Sequence, residues 1–331
     1  MTPEELRSAL TPVLRPVLGD DVAVEELRVL TGGASRTTWA FTAVTDTARR
    51  PLILRTSPAG DELHASMELE ARVQSLAAAA GAPVPEILTA DDSAAALGTA
   101  YLICSAIAGE TIVRRIERGL DDAGRAQLLG QCAAALAAIH RADPGAADLQ
   151  PQDQLAQWRG QLDEIGDTTA TFEWTFRWLD RHRVDLPAPE PTLVHGDFRM
   201  GNLIVDVDGG TGLAAVLDWE LVHCGEFYED LAWFCVRAWR FGAPRARGAG
   251  GLGSIDDFLG AYEEASGRRV DRAAFRWWLV QATLSWGIIC RYQAHRHLSG
   301  QTPSVELATI GRRVCENEWD LLELMDEEVG L

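Results

Sequence analysis

The stretch of this chain that decides the fold is HGDFRMGN at residues 195–202, followed by LDWE at residues 217–220. Between them, residues 203–217 carry two apolar runs, the first rich in β-branched side chains, on either side of the turn-forming sequence DGGTG. This pattern predicts an antiparallel hairpin whose outer ends meet. Asn202 precedes the first strand and Asp218 follows the second, so an amide oxygen and a carboxylate should lie side by side.

Three polar side chains around this hairpin suit metal-dependent phosphoryl transfer. Magnesium prefers hard oxygen ligands, of which the protein usually supplies one or two, and Asn202 and Asp218 can provide them. Asp197 lies five residues before Asn202 in a predicted loop, free to orient and deprotonate an acceptor hydroxyl. The arrangement predicts kinase chemistry.

These residues resemble those of the aminoglycoside phosphotransferase and choline kinase-like family, a branch of the protein-kinase-like superfamily. The branch includes the kinase domains attached to some acyl-CoA dehydrogenases, and the likeness runs from Glu25 to Tyr262. It implies an α+β, two-lobed fold. A small N-terminal antiparallel β-sheet lobe with one or two helices is expected at residues 1–104, a hinge at 105–110 and a larger, mainly helical lobe at 111–331.

The resemblance also implies roles for individual residues. Asp197 would be the catalytic base, and Asn202 and Asp218 would be ligands of Mg²⁺. His195 and Asp230 would be structural braces of the catalytic loop. ATP is the implied phosphate donor.

A glycine-containing segment near the N-terminus, TGGAS at residues 31–35, lies between two largely apolar runs. It suits a turn whose backbone amides approach phosphate, and a plain hairpin turn explains it equally well. The order of the elements that follow favours the phosphate interpretation, with Gly32, Gly33 and Ser35 as nucleotide contacts.

Arg55 ends a predicted strand, and Glu70 lies beside the apolar stripe of the helix predicted within residues 63–80. The resembling enzymes pair a strand lysine with a helix glutamate here. This chain contains no lysine, so all 30 of its basic side chains are arginine. Arginine can bind phosphate and glutamate in a bidentate way, although the two cations are not interchangeable. The alternative is a surface arginine at a strand end.

The apolar run at residues 99–104 predicts a buried strand that leads into the hinge. The resemblance implies that this crossing lends backbone groups to the adenine ring. Ser105 and Ile107 are therefore the expected adenine-edge contacts.

The phosphate acceptor is expected to be a small-molecule hydroxyl, and the sequence does not identify it. Enzymes with this constellation act on aminoglycosides, macrolides, amino alcohols, hydroxyacyl-CoA thioesters and sugars. Possible acceptor contacts are Glu220, Glu226 and Arg237, with Trp239 and Arg240 nearby. For each of them a structural role is the simpler interpretation; acidic groups at a helix start, for example, also suit the helix dipole.

The composition fits a globular protein. With 331 residues, 47% of them hydrophobic, the chain is long enough for two lobes with substantial cores. Its net charge of −19 would repel nucleic acid and anionic membranes. No apolar stretch approaches the roughly 20 residues that span a bilayer, and the N-terminus lacks signal-peptide features. We expect a cytoplasmic protein without nucleic-acid or membrane partners; the oligomeric state stays open.

Three further expectations concern packing. Six cysteines without metal-ligand spacing predict buried free thiols. Residues 242–253, which contain five glycines, should form a mobile surface loop. Ten of the 11 tryptophans follow residue 150, which predicts a second part with a larger aromatic core, and four of them are expected to be core rather than substrate-stacking side chains: Trp174, Trp178, Trp277 and Trp278.

Two other functions compete with an active kinase. A nucleotide-binding pseudokinase that serves as a regulatory or interaction module is favoured by the unusual Arg55 and opposed by the intact acidic residues. A metal-dependent hydrolase built on His195 and Asp197 would need further histidine ligands. His223, along with His295 and His297, lacks a matching carboxylate partner in the sequence pattern.

Overall fold

The structure, a computed structural model, describes residues 2–30, 36–57, 65–183, 189–207, 209–210 and 212–326. The predicted phosphate contacts Gly32, Gly33 and Ser35 lie outside the described residues. Two residues of the predicted hairpin turn, Asp208 and Thr211, do so as well.

The N-terminal part is a five-stranded antiparallel sheet with two helices. Its elements are α1 (Pro3–Leu18), β1 (Ala23–Leu30), β2 (Thr37–Val44), β3 (Arg49–Ser57), α2 (Met67–Ala79), β4 (Ile87–Asp91) and β5 (Ala100–Ser105), with strand order β1-β2-β3-β5-β4. Helix α1 begins with a capping box, in which Thr2 and Glu5 each accept a backbone N–H of the other. One face of α1 buries Leu6, Leu10 and Leu14 in the core of this sheet.

The C-terminal part is mainly helical. In chain order it contains α3 (Val113–Gly119), α4 (Asp122–Ile139), α5 (Gln154–Ile165), α6 (Ala170–Arg183), β6 (Thr192–Val194), β7 (Leu203–Asp206), β8 (Gly212–Val216), β9 (His223–Gly225), α7 (Tyr228–Cys235), α8 (Ile255–Ser266), α9 (Arg272–Leu298), α10 (Val305–Gly311) and α11 (Val314–Met325). Helix α9, with 27 residues, is central, because α5, α6, α7, α10 and α11 all contact it. The predicted α+β architecture, with an N-terminal sheet and a helical second part, is confirmed.

The predicted hairpin is confirmed as the antiparallel pair β7–β8. Its outer ends meet, since the Leu217 N–H donates to the Asn202 carbonyl at 2.8 Å. Glu110 exchanges two backbone hydrogen bonds with Val205 of β7, at 2.9 and 3.0 Å. The preceding Gly109 has φ +147°, and a side chain there would collide with the hairpin. The connection between the two parts is therefore attached to the hairpin.

The hinge segment that is expected to contact the adenine ring begins at Ser105, where strand β5 of the sheet ends. The first helix of the C-terminal part begins at Val113. The lobe boundaries at residues 104 and 111 stay predictions. In the part of the chain that the structure describes, no helix has both the length and the apolarity that crossing a membrane requires.

The glycine-rich segment at residues 242–253 is not a mobile surface loop throughout. Residues 248–252 are buried. Gly250 lies against the ring of Phe234, so closely that an added Cβ would overlap it. The glycines allow the backbone to pack against an aromatic core, and the prediction of a surface loop was wrong for this half of the segment.

The predictions for cysteine and tryptophan packing are confirmed with two exceptions. Five cysteines are buried, whereas Cys315 is exposed. Trp277 and Trp278 are buried on α9, but Trp174 is 65% exposed on α6. Helix α6 turns its Phe172 and Phe176 inward, and Trp174 lies two residues from each, on the opposite face.

Candidate active site

The loop at residues 195–202 is held in place by Asp230 at the start of α7. The carboxylate accepts the backbone N–H of His195 at 2.8 Å and that of Gly196 at 3.0 Å, one on each oxygen. Gly196 has φ +83°, and a Cβ there would overlap the Leu221 carbonyl. Only glycine fits this turn, so the loop conformation is set by Gly196 and fastened by Asp230.

Asp230 is fully buried and lies within hydrogen-bond distance of His140 at the end of α4. His140 Nε2 lies 3.1 Å from the carboxylate, and His140 Nδ1 lies 2.8 Å from the Tyr262 hydroxyl of α8. Burial alone would raise the pKa of Asp230, but the hydrogen bond from His140 and the neighbouring histidines outweigh it and lower that pKa. The network joins α4, α7 and α8 to the loop, which gives Asp230 the position of a structural brace.

His195 connects the same loop to the hairpin. Its Nε2 donates to the Leu217 carbonyl at 3.0 Å, and its Nδ1 accepts the Asp197 backbone N–H at 3.2 Å. These bonds assign the neutral imidazole with its proton on Nε2. Burial lowers the pKa of His195 despite the surrounding aspartates. The histidine therefore orients the backbone on either side of the site.

The Asp197 carboxylate receives hydrogen bonds on both oxygens. Trp233 Nε1 donates to Oδ1 at 2.7 Å, and Asn202 Nδ2 donates to Oδ2 at 2.7 Å. Arg199 Nε reaches both oxygens, at 2.9 and 3.1 Å. The guanidinium of Arg199 also lies over the ring of Trp239, 5.1 Å from its centroid. These donors fix the orientation of the Asp197 carboxylate.

Asn202 and Asp218 lie at the two ends of the hairpin, as expected. Because Asn202 Nδ2 also donates to the Asp197 carbonyl, at 2.9 Å, the amide oxygen is the free end of this side chain for a metal. Asp218 has φ +66°, an uncommon backbone conformation for a residue with a side chain. Its carboxylate is about one-third exposed. An amide oxygen and a carboxylate are hard oxygen donors of the kind that Mg²⁺ prefers.

Arg55 joins the two parts of the protein. Its Nη1 donates to Glu70 at 2.9 Å, and its Nη2 donates to Asp218 at 2.8 Å. Only 17% of the Arg55 side chain is exposed, so the alternative of a surface arginine was wrong. The arginine fork spans two carboxylates at once, one on α2 and one beyond β8.

Arg36 is a further member of this ion-pair cluster, and the sequence analysis did not single it out. It pairs with the fully buried Glu70, donates to the Ala65 carbonyl at 2.7 Å, and lies 3.7 Å from Glu220. Its signal in the sequence is its position directly after TGGAS. Trp233 and Arg199 were also missed; Arg199 could have been noticed from its place inside the HGDFRMGN motif.

The two residues expected at the adenine edge differ in whether their backbone groups already take part in the sheet. The Ser105 N–H and hydroxyl are both engaged with Glu86, at 2.9 Å each. The Ala106 N–H donates to the Pro51 carbonyl at 3.0 Å. Ile107, half-buried, is the next residue along the chain and follows these sheet bonds. The geometry favours Ile107 over Ser105 for a backbone contact.

The three possible acceptor contacts lie in three different ion pairs. Glu220 faces Arg36 of the N-terminal part. Glu226 pairs with Arg183 of α6 and accepts Trp278 Nε1 of α9 at 3.1 Å. Arg237 pairs with Asp320 of α11. The structure does not bring these three residues together, and their contact with an acceptor stays a prediction.

His223 has a carboxylate partner, contrary to the prediction. Its Nε2 lies 2.8 Å from Glu229, and its Nδ1 lies 2.9 Å from the Leu221 carbonyl. Although burial opposes the charged form, Glu229 raises the pKa of His223 to about 9. The pair is an ion pair within the fold. Among the described residues, no group of three or more histidine, cysteine or acidic side chains is placed to hold a metal ion.

Comparison with known proteins agrees with this geometry. The model of the phosphotransferase enzyme family, APH, matches residues 26–278. The chain belongs to this family. That stretch contains the loop, the hairpin, Arg55 and Glu70, which confirms the resemblance noted from the sequence.

The relatives of this phosphotransferase family member differ in length. Acyl-CoA dehydrogenase family member 10 of Mus musculus is 31% identical over 202 residues, which are 57% of this chain and only 18% of that protein. A candidate aminoglycoside phosphotransferase of Ralstonia eutropha superposes with a TM-score of 0.79 at 22% identity, over 98% of this chain and 99% of that one. The GDP and kanamycin complex of APH(2″)-IIIa gives 0.65 at 12% identity, over 94% and 98%. The two solved structures show the kinase-like fold.

Proposed function

We propose that this protein is an ATP-dependent kinase that transfers the γ-phosphoryl group to a hydroxyl of a small molecule. The observation that carries the proposal is that the ends of one hairpin meet beside Asp197: Asn202 donates to the Asp197 carboxylate at 2.7 Å, and its carbonyl accepts the N–H of Leu217, the residue before Asp218. A relative of the same fold binds GDP and kanamycin, a nucleotide and a small molecule, which supports both halves of the proposal.

Asn202 and Asp218 would hold Mg²⁺, through the amide oxygen and the carboxylate respectively. A magnesium ion bound there would neutralise negative charge on the nucleotide phosphates. Arg55 supplies a second positive charge beside Asp218, at 2.8 Å, and is itself oriented by Glu70. The nucleotide would therefore lie between the N-terminal sheet and the hairpin, with Ile107 at its adenine edge.

Asp197 would orient the acceptor hydroxyl and take its proton. In phosphoryl transfer, positioning and electrostatic stabilisation account for most of the catalysis. The hydrogen bonds from Trp233 and Asn202 keep the carboxylate in one orientation, so little reorganisation is needed when the acceptor binds. Arg199, which donates to Asp197 at 2.9 Å, would supply a guanidinium group of the kind that binds phosphoryl oxygens.

The experiment that tests this proposal measures ADP release across an acceptor panel and, separately, nucleotide binding by calorimetry. Asp197→Ala should lower turnover by roughly 10²-fold or more while leaving nucleotide affinity unchanged. Asp218→Ala should weaken binding of magnesium-ATP. Asp20→Ala, which removes an exposed carboxylate near the end of α1, is the control that should change neither.

The outcomes separate the two candidate functions. Magnesium-dependent ATP binding without turnover on any acceptor class would favour a nucleotide-binding regulatory module. Unchanged nucleotide affinity in Asp218→Ala would remove Asp218 from the metal site. Turnover that survives Asp197→Ala would remove Asp197 as the base and overturn the proposed mechanism.

A further inference from the structure

Two arginines meet on one buried carboxylate, that of Glu70. Arg55 Nη1 donates to its Oε2 at 2.9 Å, and Arg36 Nη1 forms an ion pair with its Oε1. The side chain of Arg36 is 3% exposed, and that of Glu70 is fully buried. The strand–helix pair expected from the sequence consists of Arg55 and Glu70, so Arg36 is an additional member. We propose that Arg36 is a positioning residue of the nucleotide site, acting through Glu70 on Arg55. This inference rests on the proposed kinase function.

The guanidinium group of Arg36 reaches three partners with three different nitrogens. Nη1 pairs with Glu70, Nη2 donates to the Ala65 carbonyl at 2.7 Å, and Nε lies 3.7 Å from the Glu220 carboxylate. A planar guanidinium presents its donors in fixed directions, whereas an ammonium is a point charge on a flexible stem. The surroundings of Arg36 therefore require the shape of arginine as well as its positive charge.

The contacts of Arg36 fix the start of helix α2. Ala65, whose carbonyl accepts from Arg36, donates its own N–H to the Glu220 carbonyl at 2.8 Å. The next residue, Ser66, is the N-cap of α2, and its carbonyl accepts the Glu70 N–H at 2.9 Å. Arg36 thereby holds the first turn of α2, which carries Glu70, against the segment that follows the β7–β8 hairpin.

The same contacts set the position of Arg55 relative to Asp218. Asp218 lies two residues before Glu220, and its carboxylate accepts from Arg55 Nη2 at 2.8 Å. Glu70 carries one negative charge against two guanidinium groups, so Arg55 keeps positive charge that would attract nucleotide phosphates. Without Arg36, the buried carboxylate of Glu70 would draw more of the charge of Arg55 to itself.

The first test measures binding of magnesium-ATP to the full chain by calorimetry, without an acceptor. Arg36→Lys keeps a positive charge beside Glu70 and loses the fixed donor geometry, so we expect the Kd to rise by about tenfold with an unchanged number of sites per chain. A purely structural role would instead lower the number of binding-competent chains and leave the Kd of the remainder unaltered. Arg49→Lys, in an exposed ion pair with Glu25 on β3, is the matched control and should change neither quantity.

A double-mutant cycle tests whether Arg36 acts through Arg55. Because both arginines bind Glu70, Arg36→Lys and Arg55→Lys should not be independent. The Kd of the double variant should rise by less than the product of the two single effects. Effects that multiply fully would show that Arg36 acts by another route and would overturn the proposal, as would an unchanged Kd in Arg36→Lys.

Amide hydrogen exchange of the nucleotide-free protein tests the positioning separately from the kinase function. Arg36→Lys should speed exchange of the Ala65 amide, which donates to the Glu220 carbonyl, by about tenfold, whereas Arg49→Lys should not. A protein that binds no magnesium-ATP would count against the kinase function. Unchanged exchange at Ala65 would overturn the role of Arg36.

Glu220→Gln is the second variant, should Arg36→Lys fail to fold. The Glu220 side chain is partly exposed, and the change removes the charge that faces Arg36 at 3.7 Å while the backbone carbonyl stays in place. We expect a higher Kd for magnesium-ATP and faster exchange at Ala65. If both quantities stayed at the values of the unaltered protein, the proposal would be wrong.

Discussion

Arg55 Nη2 lies 2.8 Å from Asp218 Oδ1, a contact between residues 163 positions apart in the chain. The other Nη nitrogen of Arg55 holds Glu70 at 2.9 Å. The arginine thus couples the N-terminal helix α2 to the proposed metal ligand. The ammonium group of lysine is compact and lacks the two separate Nη nitrogens of arginine, so it could not bind both carboxylates in this way.

Arg55→Lys should therefore keep the contact with Glu70 and lose the contact with Asp218. We expect the Kd of magnesium-ATP to rise by about tenfold, because one charge-assisted hydrogen bond is removed at the nucleotide site. Arg50→Lys is the matched control, since Arg50 lies on the same strand in an exposed ion pair with Glu86. Unaltered nucleotide affinity and turnover in Arg55→Lys would show that the position needs only a positive charge.

Trp233→Phe should reduce turnover without weakening nucleotide binding. The substitution removes the indole N–H that lies 2.7 Å from Asp197 and keeps an aromatic ring in the core. Loss of a hydrogen bond to the carboxylate should lower kcat by about tenfold while the KM for nucleotide stays constant. Trp277→Phe removes a buried indole bond to the Leu179 carbonyl, which does not involve Asp197, and should leave kcat unchanged. Equal kcat in both variants would deny Trp233 a positioning role.

Asp230→Asn should destabilise the whole protein. The fully buried carboxylate accepts two backbone N–H groups and faces His140, and an amide can replace only part of this acceptor set. We expect the free energy of unfolding to fall by about 3–5 kcal/mol, as for a buried pair that loses one partner. Urea unfolding measures the change. The exposed carboxylate change Asp257→Asn should cost less than about 1 kcal/mol by the same method.

The raised pKa of His223 predicts that the protein loses stability at alkaline pH. Its folded-state pKa of about 9 exceeds the ordinary value of 6.5, so the folded form holds the proton more tightly than the unfolded form. The stabilisation is complete below pH 6.5, declines as the pH rises towards 9, and is absent above that. It amounts to roughly 3 kcal/mol, because each unit by which the folded-state pKa exceeds the ordinary pKa contributes about 1.36 kcal/mol.

Unfolding free energies of the protein and of His223→Asn between pH 6 and 10 check this expectation. The difference between the two should be largest at the acid end and should vanish at the alkaline end. His182→Asn, a histidine that stacks on Trp178, is the control and should keep the slope of the unaltered protein. A constant difference across the whole range would contradict the ion pair of His223 with Glu229.

The catalytic hairpin could be predicted because its information is local. The turn residues and the β-branched run specify two strands that are neighbours in the chain, so the ends that carry Asn202 and Asp218 come together when the hairpin forms. The same holds for the helix that carries Glu70, whose apolar spacing marks one face. The buried residues 248–252 of the glycine-rich segment could not be predicted in this way, because glycine allows close packing of the backbone as well as flexibility.

The sequence by itself determined the hairpin, the loop that carries Asp197, and the order of the elements, because short-range backbone preferences and hydrophobic periodicity are written in neighbouring residues. Three sets of contacts were decided only by the tertiary structure. Trp233 and Arg199 both donate hydrogen bonds to Asp197. Arg36 and Arg55 both pair with Glu70, and His223 pairs with Glu229. These contacts depend on how whole helices and strands pack against one another and on which rotamers that packing allows. Neither leaves a periodic signal in the chain.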